Sequence, residues 1–151
     1  MPRFAGTYDE TFTVSVGIDR AKAHFGDLDE IGKAFPDLES YTKLDDKTLR
    51  FALKPKSTLG QTFKGRYDCI YEFTSDSVLA WRTVGTGANI FTDGRMEFTS
   101  LGDARTRVVY HERMECDIPI NALLAKAIKP IVDREIAGGC RDYCKRLRSR
   151  I

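Results

Sequence analysis

Two periodicities divide the chain. Between Phe4 and Ile118 apolar residues recur mainly at every second position, and from Ile120 to Arg148 they recur at three- and four-residue steps. The first period puts alternate side chains on opposite faces of a strand, and the second lines them along one face of a helix. The pattern therefore predicts a sheet-rich body closed by one long amphipathic helix.

Phe12, Val14 and Val16 alternate with Thr11, Thr13 and Ser15 in a strand from Phe4 to Val16, with Tyr8 and Glu10 on the Phe12 side. Gly17 ends it, and Asp19 suits the N-cap of a short helix, Arg20 to Phe25. A second short helix, Leu28 to Phe35, stops at Pro36, which disfavours helical backbone in the residue before it. Leu38 to Leu44 and Thr48 to Lys54 form a hairpin turned by Asp45-Asp46-Lys47, followed by a loop from Pro55 to Gly60.

Gln61 to Thr74 reads as one strand with Phe63, Tyr67, Cys69, Tyr71 and Phe73 on one face, and Gly65 permits a bend or bulge within it. Val78 to Val84 carries Trp81, and Ile90 to Leu101 puts Met96 and Phe98 on one side. From Arg105 to Ile118 the residues Thr106, Val108, Tyr110, Glu112, Met114 and Cys116 share a face, and Pro119 ends the strand. Short turns between the later strands imply antiparallel neighbours. The predicted class is α+β: a curved antiparallel sheet of about seven strands around a long C-terminal helix, with two short helices after the first strand.

The final helix is not uniform. At about 100° per residue, Ile120, Leu124, Ala127 and Ile131 point one way, while Ile136, Cys140, Tyr143 and Leu147 point roughly 150° further round. Pro130 removes a backbone donor and Gly138-Gly139 adds a weak point, so a bent helix with a rotating packing surface is expected.

Length changes this picture little: 151 residues without a linker suggest one domain, 1–151. The 24 basic and 22 acidic residues nearly cancel, which gives no case for nucleic acid. No run of about 18 apolar residues exists, so no stable membrane insertion is expected, and the absence of an apolar leader makes the cytoplasm the default. The basic end, Lys145 to Arg150, suits a helix C-terminus or a partner surface. Cys69, Cys116, Cys140 and Cys144 contain no CxxC pair, and Cys140 and Cys144, one helical turn apart, lie far in sequence from His24 and His111, so no metal and no cofactor is expected. The Gly85-Thr86-Gly87 stretch has no helix after it and reads as a turn rather than a phosphate loop.

The element order, with Phe4-Ala5-Gly6-Thr7-Tyr8, the Phe63-Lys64-Gly65 strand, Trp81 and Thr106-Arg107-Val108-Val109-Tyr110, resembles the helix-grip superfamily. That superfamily contains the lipid-transfer domains related to steroidogenic acute regulatory protein (START), birch-pollen-allergen-like proteins and polyketide cyclase/dehydrases. The pattern is most similar to the branch of bacterial cyclase/dehydrases and proteins like the G subunit of carbon monoxide dehydrogenase. The resemblance implies a ligand cavity between sheet and final helix. The C-terminal extension of some membrane-attached relatives is missing, so no tether by that route is expected.

The expected cavity wall is Phe51, Phe63, Tyr67, Tyr71, Trp81, Met96, Phe98, Tyr110 and Met114 from the sheet, with Leu124, Ile128, Ile131 and Glu135 from the helix. Buried Tyr and Trp need hydrogen-bond partners, which a ligand or ordered water can supply. Glu112 and Glu135 fall on apolar faces, where burial suits a carboxyl group for proton transfer; Glu10 is a third carboxylate of this kind. A salt bridge is the alternative for each. His111 shares parity with Arg107 and Arg113 and is expected to face solvent. The leading expectation is a protein that binds a hydrophobic or aromatic small molecule or a lipid. The alternatives are a cyclase/dehydratase using Glu112, Tyr67 or Tyr110, and a non-catalytic assembly factor with an unidentified protein partner.

Overall fold

A computed structural model describes residues 2–58 and 60–151. The first strand, β1 (Arg3–Val14), leads into α1 (Ile18–Phe25) and α2 (Leu28–Ala34). The strands that follow are β2 (Leu38–Lys43), β3 (Thr48–Leu53), β4 (Lys56–Thr58), β5 (Gln61–Phe63), β6 (Arg66–Ser75), β7 (Val78–Val84), β8 (Ile90–Ser100) and β9 (Thr106–Asp117). The chain closes with α3 (Ala122–Ser149).

Seven strands form one antiparallel sheet in the order β1-β9-β8-β7-β6-β3-β2. β1 and β2 are thus opposite edges, and α1 and α2 carry the chain between them. Asp27 caps α2 by accepting from the amides of Asp29 and Glu30, whereas α1 starts after Gly17 without a side-chain cap. The expected Asp19 cap gives way because the helix already includes Ile18 and Asp19.

The expected continuous strand from Gln61 is broken in two. β5 pairs with β4 in a separate hairpin, and β6 joins the main sheet after Lys64-Gly65. Gly65 allows the close passage at this break: a Cβ there would fall 2.5 Å from Ile90 Cδ1. The loop expected from Pro55 to Gly60 is therefore partly the β4–β5 hairpin, and position 59 of that expected loop lies outside the described residues.

One face of the sheet is covered by the helices, with α3 against β1 and β9, α1 against β8, and α2 against β3 and α3. The approach of α3 is closest at Gly6, where an added Cβ would meet the Ala137 amide nitrogen at 2.5 Å and the Asp133 carbonyl oxygen at 2.9 Å. Asp133 also accepts from the Ala5 amide at 2.9 Å, which stitches the helix to the edge strand. At the far end Arg148 pairs with Glu10 and lies over the Phe12 ring, and Arg150 pairs with Glu30. Two arginines of the basic end are therefore committed within the fold.

α3 is one continuous helix through Pro130, begun by Asn121, whose side chain accepts from the Leu124 amide at 2.8 Å. Its inward stripe is Ala125, Ile128, Val132, Ile136, Cys140, Tyr143 and Leu147, at steps of three or four residues throughout. The expected rotation of the packing surface is absent. Ala127 is exposed and Ile131 is 59% exposed, because they sit well off the stripe that Cys140 and Tyr143 define. Pro130 is exposed too, so its ring lies away from the sheet. Among the described residues no helix is long and apolar enough to cross a membrane.

Candidate functional site

The helices fill the space over the sheet unevenly. At the α1 end, Phe25 meets Phe98 with ring centroids 5.9 Å apart, and Ile31, Val108 and Leu147 are fully buried. At the other end, where β9 runs out toward α3, a pocket of about 180 Å³ remains between the sheet and the first two-thirds of α3.

Met114, Cys116 and Ile118 wall the pocket from β9 and the segment after it, with Ile90 from β8. Ile128, Val132, Ile136, Gly139, Cys140 and Tyr143 wall it from α3. Phe35 and Leu53 close the side toward β3, and Lys54, Lys56, Gln61 and Phe63 bring the β4–β5 hairpin to its edge. Asp37 and the exposed Glu135 add charge to the rim, and Lys56 pairs with Asp37 at 3.4 Å.

Glu112 is the exception to the apolar interior. It reaches the pocket wall yet is only 5% exposed. Strand register explains how it is held. Tyr71, Trp81, Gly94, Glu112 and Tyr8 stand opposite one another in a single row across β6, β7, β8, β9 and β1. Gly94 supplies no side chain, so the indole of Trp81 lies across β8 and spans the row to Glu112. A Cβ at position 94 would sit 2.4 Å from Trp81 Cε2 and Cζ2.

Three donors converge on the carboxylate. Trp81 Nε1 donates to Glu112 Oε2 at 2.8 Å, and Thr92 Oγ1 donates to the same oxygen at 3.0 Å. The Tyr110 hydroxyl donates to Oε1 at 2.7 Å. Thr92 and Tyr110 each lie two residues along a strand from the row, which puts them on the same face. Burial raises the hydroxyl pKa of Tyr67, Tyr110 and Tyr143 well above the ordinary value, and the nearby Glu112 charge adds to it. These phenols stay protonated at neutral pH, and Tyr110 donates to Glu112 in that form. Burial likewise raises the Cys140 thiol, with Glu112 as the next cause.

Of the residues read as cavity wall from the sequence, the structure places Phe63, Met114, Ile128 and Glu135 around this pocket, together with Glu112. Phe51 and Tyr67 stack on each other at 4.9 Å beneath Phe35 and form core rather than lining. Tyr71, Trp81, Met96, Phe98 and Tyr110 also lie outside the pocket wall, as buried core toward the α1 end or behind Glu112. Strand parity gives the face but not the position along it, and α1 with the second half of α3 covers most of that face. Ile131 falls off the inward stripe of α3, and Leu124, half-buried and in phase with it, lies outside the pocket wall. Val132, Ile136, Cys140 and Tyr143 take their place; extending the Cys140 phase backwards in steps of four finds the first two. Thr92 is a further site residue, and the signal for it is the parity it shares with Met96 and Phe98.

Glu10 is tied to the Tyr8 hydroxyl and to Arg148, away from the pocket. Burial pushes its carboxyl up, but these two partners outweigh burial and hold it below the ordinary value. Burial first, then the Glu10 contact, pushes Tyr8 up to about 12. His111 pairs with Asp9 on the face away from the helices, and His24 Nε2 lies 2.7 Å from the Leu147 carbonyl oxygen. Neither histidine is at the pocket. All four cysteines are buried free thiols.

Solved structures share this architecture along nearly the whole chain. A START superfamily protein from Mycobacterium smegmatis matches with a TM-score of 0.68 at 14% identity, covering 96% of each chain. An aromatase/cyclase from Streptomyces sp. R1128 matches at 0.65 and 12% identity, covering 97% of this chain and 93% of that one. Norcoclaurine synthase from Thalictrum flavum, in complex with dopamine and hydroxybenzaldehyde, matches at 0.60 and 8% identity, covering 97% and 86%. At these identities the likeness establishes the START-like helix-grip fold. No curated protein matches the sequence significantly. The family model for CoxG, the G subunit of carbon monoxide dehydrogenase, matches residues 11–145, which is most of the chain. With the helix-grip architecture, that match makes this chain a member of the carbon monoxide dehydrogenase CoxG family.

Proposed function

We propose that the chain binds a hydrophobic or aromatic small molecule, or the apolar part of a lipid, between the sheet and α3, for transport or sequestration. The observation that carries this reading is the pocket of about 180 Å³, walled by apolar side chains apart from one buried carboxylate and a polar rim. An apolar cavity of roughly 150 Å³ is enough to take up benzene. The M. smegmatis neighbour belongs to the START superfamily, and the Thalictrum enzyme holds aromatic ligands in the same fold; both support the reading.

The test uses the fluorescent apolar probe N-phenyl-1-naphthylamine. Its emission rises with the wild-type chain, and Val132→Trp, which fills the pocket from α3, abolishes the rise while the protein stays folded. Equal enhancement in both proteins would count against the reading. Native mass spectrometry of the freshly purified chain supplies the natural occupant's mass.

A cyclase or dehydratase reading ranks second, carried by the Glu112–Tyr110 pair at the pocket and by the enzymes among the structural neighbours. It ranks second because Trp81, Thr92 and Tyr110 already hold the Glu112 carboxyl in a fixed arrangement that explains its burial without a catalytic role. Under this reading Glu112→Gln loses turnover of a polyketide-like substrate while keeping probe affinity. Unchanged turnover would reject the role.

A further inference from the structure

Glu112 is a buried carboxylate whose surroundings supply donors but no cation. Among the described residues no ion pair includes it, and its polar neighbours Trp81, Thr92, Tyr110 and Cys140 are all uncharged. A carboxylate offers about four lone-pair positions. Trp81 and Thr92 use both on Oε2, while Tyr110 uses one on Oε1. No fourth hydrogen bond to the carboxylate is formed among the described residues; the pocket-wall groups nearest it are the Cys140 thiol, a weak donor, and Tyr143.

The three donors also fix where the carboxylate can turn. Trp81 is held by its lack of clearance over Gly94, and Tyr110 is fully buried against Trp81 with ring centroids 5.7 Å apart. The acceptor is preorganised before any ligand arrives, so a ligand donor that reaches it meets little ordering cost. A neutral apolar occupant leaves the last acceptor position facing hydrocarbon, and an occupant with a donor satisfies it. Buried polar groups left unpaired are the strongest source of discrimination between otherwise similar ligands.

We propose that Glu112 is a specificity-determining acceptor at the inner end of the pocket, selecting apolar or aromatic molecules that carry a hydrogen-bond donor, a hydroxyl or a protonated amine, at their leading end. This deepens the pocket reading above and rests on it. Orientation follows: the donor end enters first, beside Tyr143 and Cys140, and the apolar remainder lies between Met114 and Val132 toward the hairpin rim.

The chain has one tryptophan, and its indole N–H bonds to Glu112, so its single indole resonance reports on the acceptor directly. The experiment titrates ¹⁵N-labelled wild type and Glu112→Gln with 2-naphthol, 2-methoxynaphthalene and 2-naphthylmethylammonium. Satisfying a buried acceptor that an apolar occupant leaves unpaired carries enough free energy for a preference on the order of ten- to a hundredfold. The expected result is that 2-naphthol, the ammonium probe, or both bind wild type at least about tenfold tighter than the methoxy compound. Binding shifts the Trp81 indole signal, and the preference disappears in Glu112→Gln. The tighter of the two donor probes tells a neutral donor from a cation. Equal affinity of all three for wild type overturns the proposal, whether or not the Gln variant folds, and so does a preference that survives in the variant. If N-phenyl-1-naphthylamine still binds in those cases, only the acceptor role has failed; if no probe binds at all, the pocket reading fails with it.

Discussion

Gly94→Ala is the substitution that tests the architecture of the Glu112 row most sharply. The added methyl would lie 2.4 Å from Trp81 Cε2 and Cζ2 and 2.6 Å from Nε1, against a rigid ring wedged in the core. The indole must lift, which breaks its 2.8 Å bond to Glu112 Oε2. Overpacking of this kind costs about 1–3 kcal/mol. Leaving the buried carboxyl oxygen short of this partner adds about 1–3 kcal/mol. Together they predict destabilisation of roughly 2–6 kcal/mol, a large part of the 5–15 kcal/mol typical of a domain. Urea unfolding followed by circular dichroism measures the loss, and the emission of the only tryptophan reports the shift of the ring. A double-mutant cycle separates the clash from any backbone effect: in a Trp81→Phe background, Gly94→Ala costs at least about 1 kcal/mol less, because the Nε1 contact and its bond are already gone. A Gly94→Ala variant within about 1 kcal/mol of wild type, or full additivity in the cycle, would refute the reasoning.

Three further outcomes follow from other contacts. Gly6→Val forces a side chain against the backbone of Ala137 and Asp133, so α3 lifts from β1, and hydrogen exchange of its amides near residue 137 speeds up at least about tenfold; unchanged protection would contradict the close approach. The Glu10 carboxyl has a folded pKa below the unfolded value near 4.5, so its stabilisation is present above that value and is lost as pH falls through the folded pKa. Glu10→Gln therefore lowers Tm at pH 6 and flattens the fall in Tm between about pH 5 and 3; an equally steep acid slope in both proteins would reject the Tyr8 and Arg148 contacts as its cause. Leu123, 82% exposed on the outer side of α3, tolerates Ser with a stability change within about 0.5 kcal/mol in urea unfolding, whereas Leu147→Ala, fully buried on the inward stripe, costs about 2–5 kcal/mol.

The strands and their faces are legible because alternation survives in β1, β6, β8 and β9, where one face meets the helices and the other meets water. Parity alone places Tyr110, Glu112 and Met114 on the inner face. Position along that face is not legible, because it depends on which end α1 and α2 fill, and those helices join β1 and β2, neighbours in sequence but opposite edges of the sheet. Trp81 shows the limit well: its parity marks it as inward, but only the register with Gly94 and Glu112 shows that it braces an acceptor instead of lining a void. The phase of α3 is ambiguous in sequence where small and apolar residues occur on both sides of the helix. Ile131 and Val132 are adjacent and similarly apolar; counting back from Cys140 in fours favours Val132, and in the structure it is Val132 that stands with Met114 and Tyr143 at the pocket.

The most direct measurement of the central claim is a crystal structure of the chain grown with 2-naphthol. The account predicts ring density between Met114 and Val132, with the hydroxyl oxygen within hydrogen-bond distance of Glu112 and the Trp81 bond retained. Naphthol bound only on the surface, with the space between sheet and α3 closed by its own side chains, would contradict it.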